Sequence, residues 1–499
     1  MKAALNDLMN RTGVRFGTSG ARGLADELTD LVASAYTQGF LQYLIETGEL
    51  PATGSEVAVA GDFRPSTDRI MEAVMRGIEA LGHTPINCGK IPSPAVALYG
   101  LNRGVPAIMV TGSHIPADRN GIKFNKCSGE VLKADEPGIC RQIVTLDDCA
   151  FDPSGAFTKS VTGRRPVSNV AIGEYFARYR DFFPGDCLKG LRLGVYQHSA
   201  VARDLLVSIL QSLGAEVTAL GRSETFVPVD TEAIRPEDVE LARGWATEHQ
   251  FDAILSADGD SDRPLISDER GRWIRGDVAG ILCARYLGAD SVSTPVSCNS
   301  AVDLCGWFKE VRRTKIGSPF VVSSMLDASA RGFRCVVGYE ANGGFLLNSD
   351  LAGANGKTLG ALPTRDAVIL HLSLLLLARR EGRSLSQLVA TLPPRYTASG
   401  LLKNCSIEKS QAILAQFTTG NDGTDRAAME HVFGPELGSV KAIDRTDGIR
   451  ATFENGEILH LRPSGNAPEF RCYTEASDEG RAQQLNHRCK ETIARLAAG

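Results

Sequence analysis

Three aspartates alternate in the stretch ADGDSDRP, Ala257 to Pro264. At that spacing Asp258, Asp260 and Asp262 can aim three hard oxygen ligands at one divalent cation, and Arg263 beside them is placed to hold a phosphate oxygen. A calcium EF-hand loop also begins with alternating acids, and Glu269 even falls at its twelfth position. That loop needs glycine at its sixth position, where this chain has Arg263, and a helix ahead of it, where the pattern predicts the strand Ala253–Ser256. Both conditions fail. A merely solvated acidic turn is disfavoured, because three adjacent acids repel one another without a counter-ion.

Three further loops carry reactive or anion-binding side chains. VTGSHIPADRNGIKF, Val110 to Phe124, follows an apolar strand, and ligand sites of open α/β sheets lie at such carboxyl ends. Ser113 sits there among Gly112, His114 and Pro116, which predicts an exposed hydroxyl on a tight turn, with Arg119 and Lys123 bringing positive charge to an oxyanion. An ordinary Gly/Asn/Pro surface turn explains the same residues. VGYEANGGF, Val337 to Phe345, offers Glu340 and Asn342 on a glycine-rich backbone. A carboxylate and an amide suit sugar hydroxyls, although a glycine-rich turn accounts for the string as well. LRPSGNAPEFR, Leu461 to Arg471, can cradle a dianionic phosphate with Arg462, Ser464, Asn466 and Arg471 and the Gly465 backbone. It lacks the P-loop pattern and a following helix, and a β-bulge with exposed arginines is the plainer alternative.

The elements that must position these loops are legible as alternating short β-branched runs and longer helical patterns, the mark of βαβ units around a mostly parallel sheet. Strands are predicted at Val57–Ala60, Ala107–Thr111, Leu191–Tyr196, Ala253–Ser256, Val292–Val296 and Cys335–Gly338, and helices at Thr67–Leu81, Val201–Leu213, Pro236–Glu248 and Arg365–Arg380. Residues 1–160, 161–275 and 276–395 share this rhythm and are expected to form three similar mixed α/β domains. From about Thr397 the pattern changes. Arg450–Phe453 and Glu457–Leu461 flank Asn455-Gly456, a type I′ hairpin signal with both centres at positive φ. With a third strand at Phe470–Thr474 and a closing helix at Asp478–Ala498, residues 396–499 read as a small α+β domain. The four loops fall one per predicted domain.

The 499 residues carry 54 Lys and Arg against 59 Asp and Glu, a net charge of -5. That balance excludes a nucleic-acid binder working by broad phosphate neutralisation, while leaving room for a local basic pocket. The longest apolar run, Ala367 to Ala378, is about a dozen residues where a membrane span takes roughly twenty, and it contains His371; it reads as a buried helix. MKAALNDLMNRTG has no apolar core of a signal peptide, so a cytoplasmic protein is expected. The 12 cysteines include no C-x-x-C pair and read as reduced core residues.

Taken together, FGTSGARG (Phe16–Gly23), GDFRPST (Gly61–Thr67), the serine loop, DGDSDR, TKIGSP from Thr314, GYEANGG and RPSGNAPEFR resemble the motifs of the α-D-phosphohexomutase superfamily across essentially the whole chain. The resemblance implies three α/β domains and a last domain related to the TATA-box-binding-protein fold, heart-shaped around a central cleft. It implies Ser113 as a phosphoserine, and Asp258, Asp260 and Asp262 as Mg²⁺ ligands with a serine phosphate oxygen as the fourth. Lys123 matches a general base, with His114 and Arg22 beside the reacting phosphoryl group. Arg263 and Lys315 match cleft-lining positions, Glu340 and Asn342 sugar readers, and Arg462, Ser464 and Asn466, with Gly465 and Arg471, a phosphate clamp.

The expected activity is interconversion of mannose 6-phosphate and mannose 1-phosphate through a hexose 1,6-bisphosphate, by a monomer or homodimer. Mutases of glucosamine phosphate, or of glucose and mannose phosphates together, are the alternatives, and a silent phosphosugar binder and a magnesium phosphatase are rivals of other classes. Three departures stand out: Asn342 replaces a common serine, Gly344 a common histidine, and Ile115 an asparagine.

Overall fold

The computed structural model describes residues 1–17, 19–159, 165–353, 355–464 and 468–498. The chain divides into two compact units, one comprising Met1–Val292 with Ser318–Gln387, the other Ser293–Gly317 with Leu388–Gly499.

The first unit is α/β. Its N-terminal sheet runs in the order Arg15–Phe16, Gly20–Leu24, Arg119–Lys126, Ala107–Val110, Glu56–Gly61, Thr84–Lys90. The last three strands are parallel and the first three antiparallel. Because side chains alternate along a strand, Val57 and Val59 enter the core with Phe40, Ile70 and Val74, while Ala58 and Ala60 face the other way. Phe40 from the helix Asp30–Glu46 stacks on Phe124 at 4.5 Å between ring centroids, fixing the strand that carries Lys123.

The next sheet centres on Arg192–His198, parallel to Glu216–Arg222 and Ala253–Ala257, with Pro264–Ile266 antiparallel beside the latter. Further on, Val336–Tyr339 pairs antiparallel with Phe345–Leu347. A pattern emerges that the sequence reading of a mostly parallel sheet did not contain. In all three places a buried apolar strand is followed by a loop and then by an antiparallel return strand, and the three reactive loops of this unit are those connections.

The apolar run from Ala367 is a buried helix, Ala367–Glu381, as expected. It begins two residues later than the periodicity predicted, because the Asp366 carboxylate caps it by accepting from Val368 N and also receives the hydroxyls of Tyr175, at 2.6 Å, and Tyr179. Arg365 is thereby left outside the helix.

The second unit is α+β. Its antiparallel sheet has the order Tyr396–Lys403, Glu469–Ala476, Ile458–Pro463, Ile449–Phe453, Val440–Asp444, backed by the helices Ile407–Ala415, Asp422–Leu437 and Glu479–Ala498 over a core that includes Phe417, Phe433, Phe453 and Phe470. The hairpin falls where Asn455-Gly456 placed it, but the turn is not type I′. Gly456 has φ 80° while Asn455 stays at negative φ, and Gly456 N donates to Phe453 O at 2.9 Å. The loop is therefore a residue longer, a type I turn closed by a glycine bulge, and Asn455 uses its side-chain oxygen to accept from Glu457 N.

Three imidazoles are buried on backbone carbonyls: His198 on Ala257 O, His371 on Leu265 O and His460 on Asp447 O, at 2.7, 3.0 and 2.6 Å. Burial pushes each from an ordinary 6.5 down to about 4. Between those values the unfolded chain binds protons that the folded chain refuses, so this contribution to stability is complete above pH 6.5 and lost as pH falls toward 4. Denaturant titrations should show a loss of about 1 kcal/mol per imidazole between pH 7.5 and 5.5. His371→Gln should flatten that dependence, and an equal slope in variant and parent would contradict it.

Candidate active site

The serine loop connects Ala107–Val110 to Arg119–Lys126 and is organised by one guanidinium. Arg64 donates to Ser113 O, Ile115 O, Pro116 O and Arg119 O at 2.6 to 3.0 Å, and its Nε to Asp62 at 3.1 Å. Asp62 also accepts from Thr67 Oγ1 and Thr111 Oγ1, both at 2.7 Å, and Thr111 Oγ1 accepts from Ser113 N at 2.7 Å. The loop thus satisfies its polar groups internally, which buried backbone requires. Ser113 is held at φ 56°, in the left-handed region.

The Ser113 hydroxyl is not exposed as predicted; the residue is fully buried. The aspartate loop lies against it, and a Cβ at Gly259 would come within 2.9 Å of Ser113 O, so glycine permits the approach. Ser113 Oγ donates to Asp258 Oδ2 at 2.5 Å. The loop that closes over it, Asp258 to Arg263, is the connection between Ala253–Ala257 and Pro264–Ile266, pinned by Asp258 N to Arg263 O at 3.1 Å.

Asp258, Asp260 and Asp262 are all buried, and their ligand oxygens lie within 4.8 Å of one another. Ser93 Oγ reaches Asp260 Oδ2 at 2.6 Å, Lys123 Nζ bridges Asp260 and Asp262, at 2.7 Å from Asp262 Oδ2, and Arg365 Nε donates to that same oxygen at 3.0 Å. Asp260 Oδ1 and Asp262 Oδ1 are buried with no hydrogen-bond partner among the described residues. Hard oxygens left unsatisfied in a dry site fit a hard dication such as Mg²⁺. Glu269 lies elsewhere in function, accepting from Ser384 and Ser386, so the EF-hand geometry is absent.

Protonation follows from this crowding. Burial, then the charges of Asp260 and Asp262, push Asp258 well above the usual carboxylate range. Burial works the same way on Asp260 and Asp262, but Lys123 outweighs it at the first, and Arg365 with Lys123 at the second, so both stay below their ordinary values. Lys123 is desolvated too, yet the two aspartates hold its ammonium above the ordinary lysine value.

The residues matched to the reacting phosphoryl group surround Ser113. His114 Nδ1 is 3.4 Å from Ser113 Oγ and 2.6 Å from Arg263 Nη1, and its Nε2 faces Asp230 at 3.8 Å. Burial and the Arg263 charge push His114 down to about 3, so the ring is neutral. The Arg22 guanidinium has no hydrogen-bond partner among the described residues, and burial plus repulsion from Arg263 lower it to about 10. It remains a cation, with Asp260 as its compensating charge and Arg263, Arg64 and Arg365 around it. A guanidinium outside any ion pair suits a phosphoryl anion.

The Glu340 loop links Val336–Tyr339 to Phe345–Leu347, with Glu340 N donating to Gly344 O at 3.1 Å. Glu340 Oε2 accepts from Arg365 Nη1 at 3.2 Å, and Glu340 Oε1 carries no hydrogen bond among the described residues. Asn342 turns its Oδ1 inward onto Gly344 N at 2.9 Å, bracing the turn. Arg365, Arg64, Asp62, Ser93 and Asp230 also contact this candidate site, and the sequence reading gave them no role.

In the second unit, Arg462 and Arg471 lie directly opposite across paired strands, a repulsive arrangement eased by Asp447, 3.2 Å from Arg462, and Glu469, 2.9 Å from Arg471. Asp447 also accepts from Ile316 N at 3.0 Å, bringing the exposed Lys315 into the same neighbourhood. Ser464 N donates to Glu469 O at 2.8 Å. Gly465 and Asn466 lie outside the described residues.

Comparison with known proteins finds matches over most of the chain. Four phosphoglucomutase/phosphomannomutase domain families match in turn: α/β/α domain I over 13–148, domain II over 177–271, domain III over 275–396 and the C-terminal domain over 407–492. A phosphomannomutase of Sinorhizobium fredii is 44% identical over 474 residues, covering 95% of this chain and 97% of that one. A phosphoglucosamine mutase of Clostridium beijerinckii is 26% identical over 495 residues, covering 96% and 99%. A phosphoglucomutase/phosphomannomutase family protein of Burkholderia thailandensis shares the fold at a TM-score of 0.74 with 19% identity, covering 98% of each chain.

Asp260 accepts from two donors and still has a buried oxygen left over. Asp260→Asn should therefore weaken Mg²⁺ binding about tenfold or more in a calorimetric titration, since an amide offers one neutral oxygen. An unchanged affinity would remove Asp260 from the ligand set.

Proposed function

Because the chain belongs to the phosphoglucomutase/phosphomannomutase family of isomerases, we propose that it is a phosphomannomutase, interconverting mannose 6-phosphate and mannose 1-phosphate through a phosphorylated Ser113 and a hexose 1,6-bisphosphate. The observation that carries the reading is the buried Ser113 hydroxyl on Asp258, beside two aspartates with unsatisfied oxygens. Mannose is favoured because identity to a phosphomannomutase is far higher than to a phosphoglucosamine mutase over nearly the same length. Asn342 Oδ1 accepts from Gly344 N inside its own turn, which leaves its amide NH2 to meet the sugar.

In the forward step the bond between Ser113 Oγ and phosphorus breaks as a substrate hydroxyl oxygen bonds to that phosphorus; the hydroxyl's proton passes to a neutral Lys123, and the freed Ser113 oxygen takes up a proton in its place. The bisphosphate then returns its other phosphoryl group to Ser113. Little covalent help is needed, because positioning and charge neutralisation carry such transfers. A divalent cation on Asp258, Asp260 and Asp262 would draw charge from the serine phosphate and, by repulsion, favour proton loss from Lys123. Arg22 and Arg263 hold the equatorial oxygens, and the neutral His114 keeps a ring nitrogen near Ser113 Oγ. Lys123 serves as base only once it leaves Asp260 and Asp262, since on them it is a firmly protonated donor. Arg462, Ser464, Gly465, Asn466 and Arg471, with Lys315, bind the phosphate that is not being transferred, and Glu340 with Asn342 reads the sugar ring. The domain limits 1–160, 161–275, 276–395 and 396–499, a cytoplasmic location and a monomer or homodimer complete the reading; no helix among the described residues is long and apolar enough to cross a membrane.

The test is a coupled assay with Mg²⁺ and hexose 1,6-bisphosphate, comparing kcat/KM for the 1-phosphates of mannose, glucose and glucosamine. Mannose should lead; a lead by glucosamine would overturn the sugar, and no turnover with any of them would overturn the mutase. Ser113→Ala should reduce turnover to trace levels in that assay, and retained activity would remove the phosphoserine. Arg462→Ala should raise KM for the monophosphate about tenfold or more with an unchanged melting temperature. A KM equal to that of the parent would exclude Arg462 from the clamp.

A further inference from the structure

We propose that Arg365 is a positioning residue that fixes the sugar-reading carboxylate of Glu340 to the metal-ligand loop, and that Gly344 is glycine to make room for it. The inference rests on the mutase reading and adds a residue to it. Arg365 is 3% exposed and sits just ahead of the helix that Asp366 caps, so its side chain is not committed to that helix. Nε donates to Asp262 Oδ2 at 3.0 Å, and Nη1 to Glu340 Oε2 at 3.2 Å and Ser318 Oγ at 2.9 Å. The anchor is itself anchored. Ser318 Oγ and Thr364 Oγ1 donate to the two oxygens of the buried Glu130 at 2.8 and 2.6 Å.

A planar guanidinium can hold two loops at a fixed separation, which the single point charge of lysine cannot. With Oε2 fixed, the direction of the other Glu340 oxygen is set, and that is the oxygen left to accept from a ring hydroxyl. The stem of Arg365 runs where a side chain at position 344 would begin. A Cβ there would meet Arg365 Cδ at 2.4 Å and Cγ at 2.6 Å. The two positions exclude each other: with the Arg365 stem in place, no side chain fits at 344 unless that stem moves. The glycine leaves room for a cation delivered from 25 residues beyond Glu340.

The test measures kcat and KM for mannose 1-phosphate in the Mg²⁺-loaded enzyme, and calorimetric affinity for the same ligand after treatment with EDTA. Arg365→Met, which keeps most of the stem, should raise KM and weaken the calorimetric affinity about tenfold, with a smaller fall in kcat, and Arg365→Lys should recover only part. Gly344→Ala should weaken binding in the parent but add nothing in an Arg365→Ala background, where the stem is gone. Unchanged affinity in Arg365→Met, full recovery by lysine, or an equal penalty of Gly344→Ala in both backgrounds would overturn the proposal. A parent enzyme silent with every sugar phosphate would overturn the mutase instead, and the calorimetric comparison would still score Arg365.

Discussion

Charge packed out of water is the constraint from which the rest of the first unit follows. Asp258, Asp260 and Asp262 share a volume small enough that all three cannot ionise without help, since each buried carboxylate forfeits several kcal/mol of hydration. The chain answers in two ways: Asp258 takes a hydrogen bond from Ser113 and is driven toward its neutral form, while Asp260 and Asp262 are held charged by Lys123 and Arg365. Such a cluster has low tolerance for misplacement, and the surroundings are correspondingly fixed by Arg64 beneath the serine loop, Ser93 on Asp260 and Glu130 behind Arg365.

The repeated strand, loop and antiparallel return gives this cluster its rigidity. A reactive loop tied at both ends to paired strands has little freedom, and three such loops meet without any one needing to be long. The Ser113 backbone at positive φ is a local cost that the Arg64 and Asp62 network sustains.

Apolar strands such as Val57–Ala60 and Ala253–Ser256 were legible because buried parallel strands are runs of β-branched and small residues. The return strands were not, since Arg119–Lys126 reads RNGIKFNK and its polar half looks like a loop. Ser113 appeared exposed because the residues around it are turn formers, and nothing local reveals that the aspartate loop covers them. Asp258, Asp260 and Asp262 could be read as a metal site from spacing alone, whereas Arg365 lies about a hundred residues from Asp262 and has no periodic partner. One sign was available: Asp366 is a good N-cap, and placing the helix start there would have released Arg365. The hairpin turn differs from the expected one by a residue, because Asn-Gly also closes the longer loop in which only the glycine has positive φ.

The chain enters the second unit twice, at Ser293–Gly317 and again from Leu388 onward. During synthesis the earlier piece leaves the ribosome well before the rest of its unit exists, and that unit is complete only with roughly the last quarter of the chain. Segments that wait are open to chaperones and to mispairing, so this unit is the last to be completed however fast its own sheet forms. It also follows that no single cut separates the two units: a fragment beginning at Leu388 lacks Ser293–Gly317, and one ending at Gln387 carries that strip without the rest of its unit.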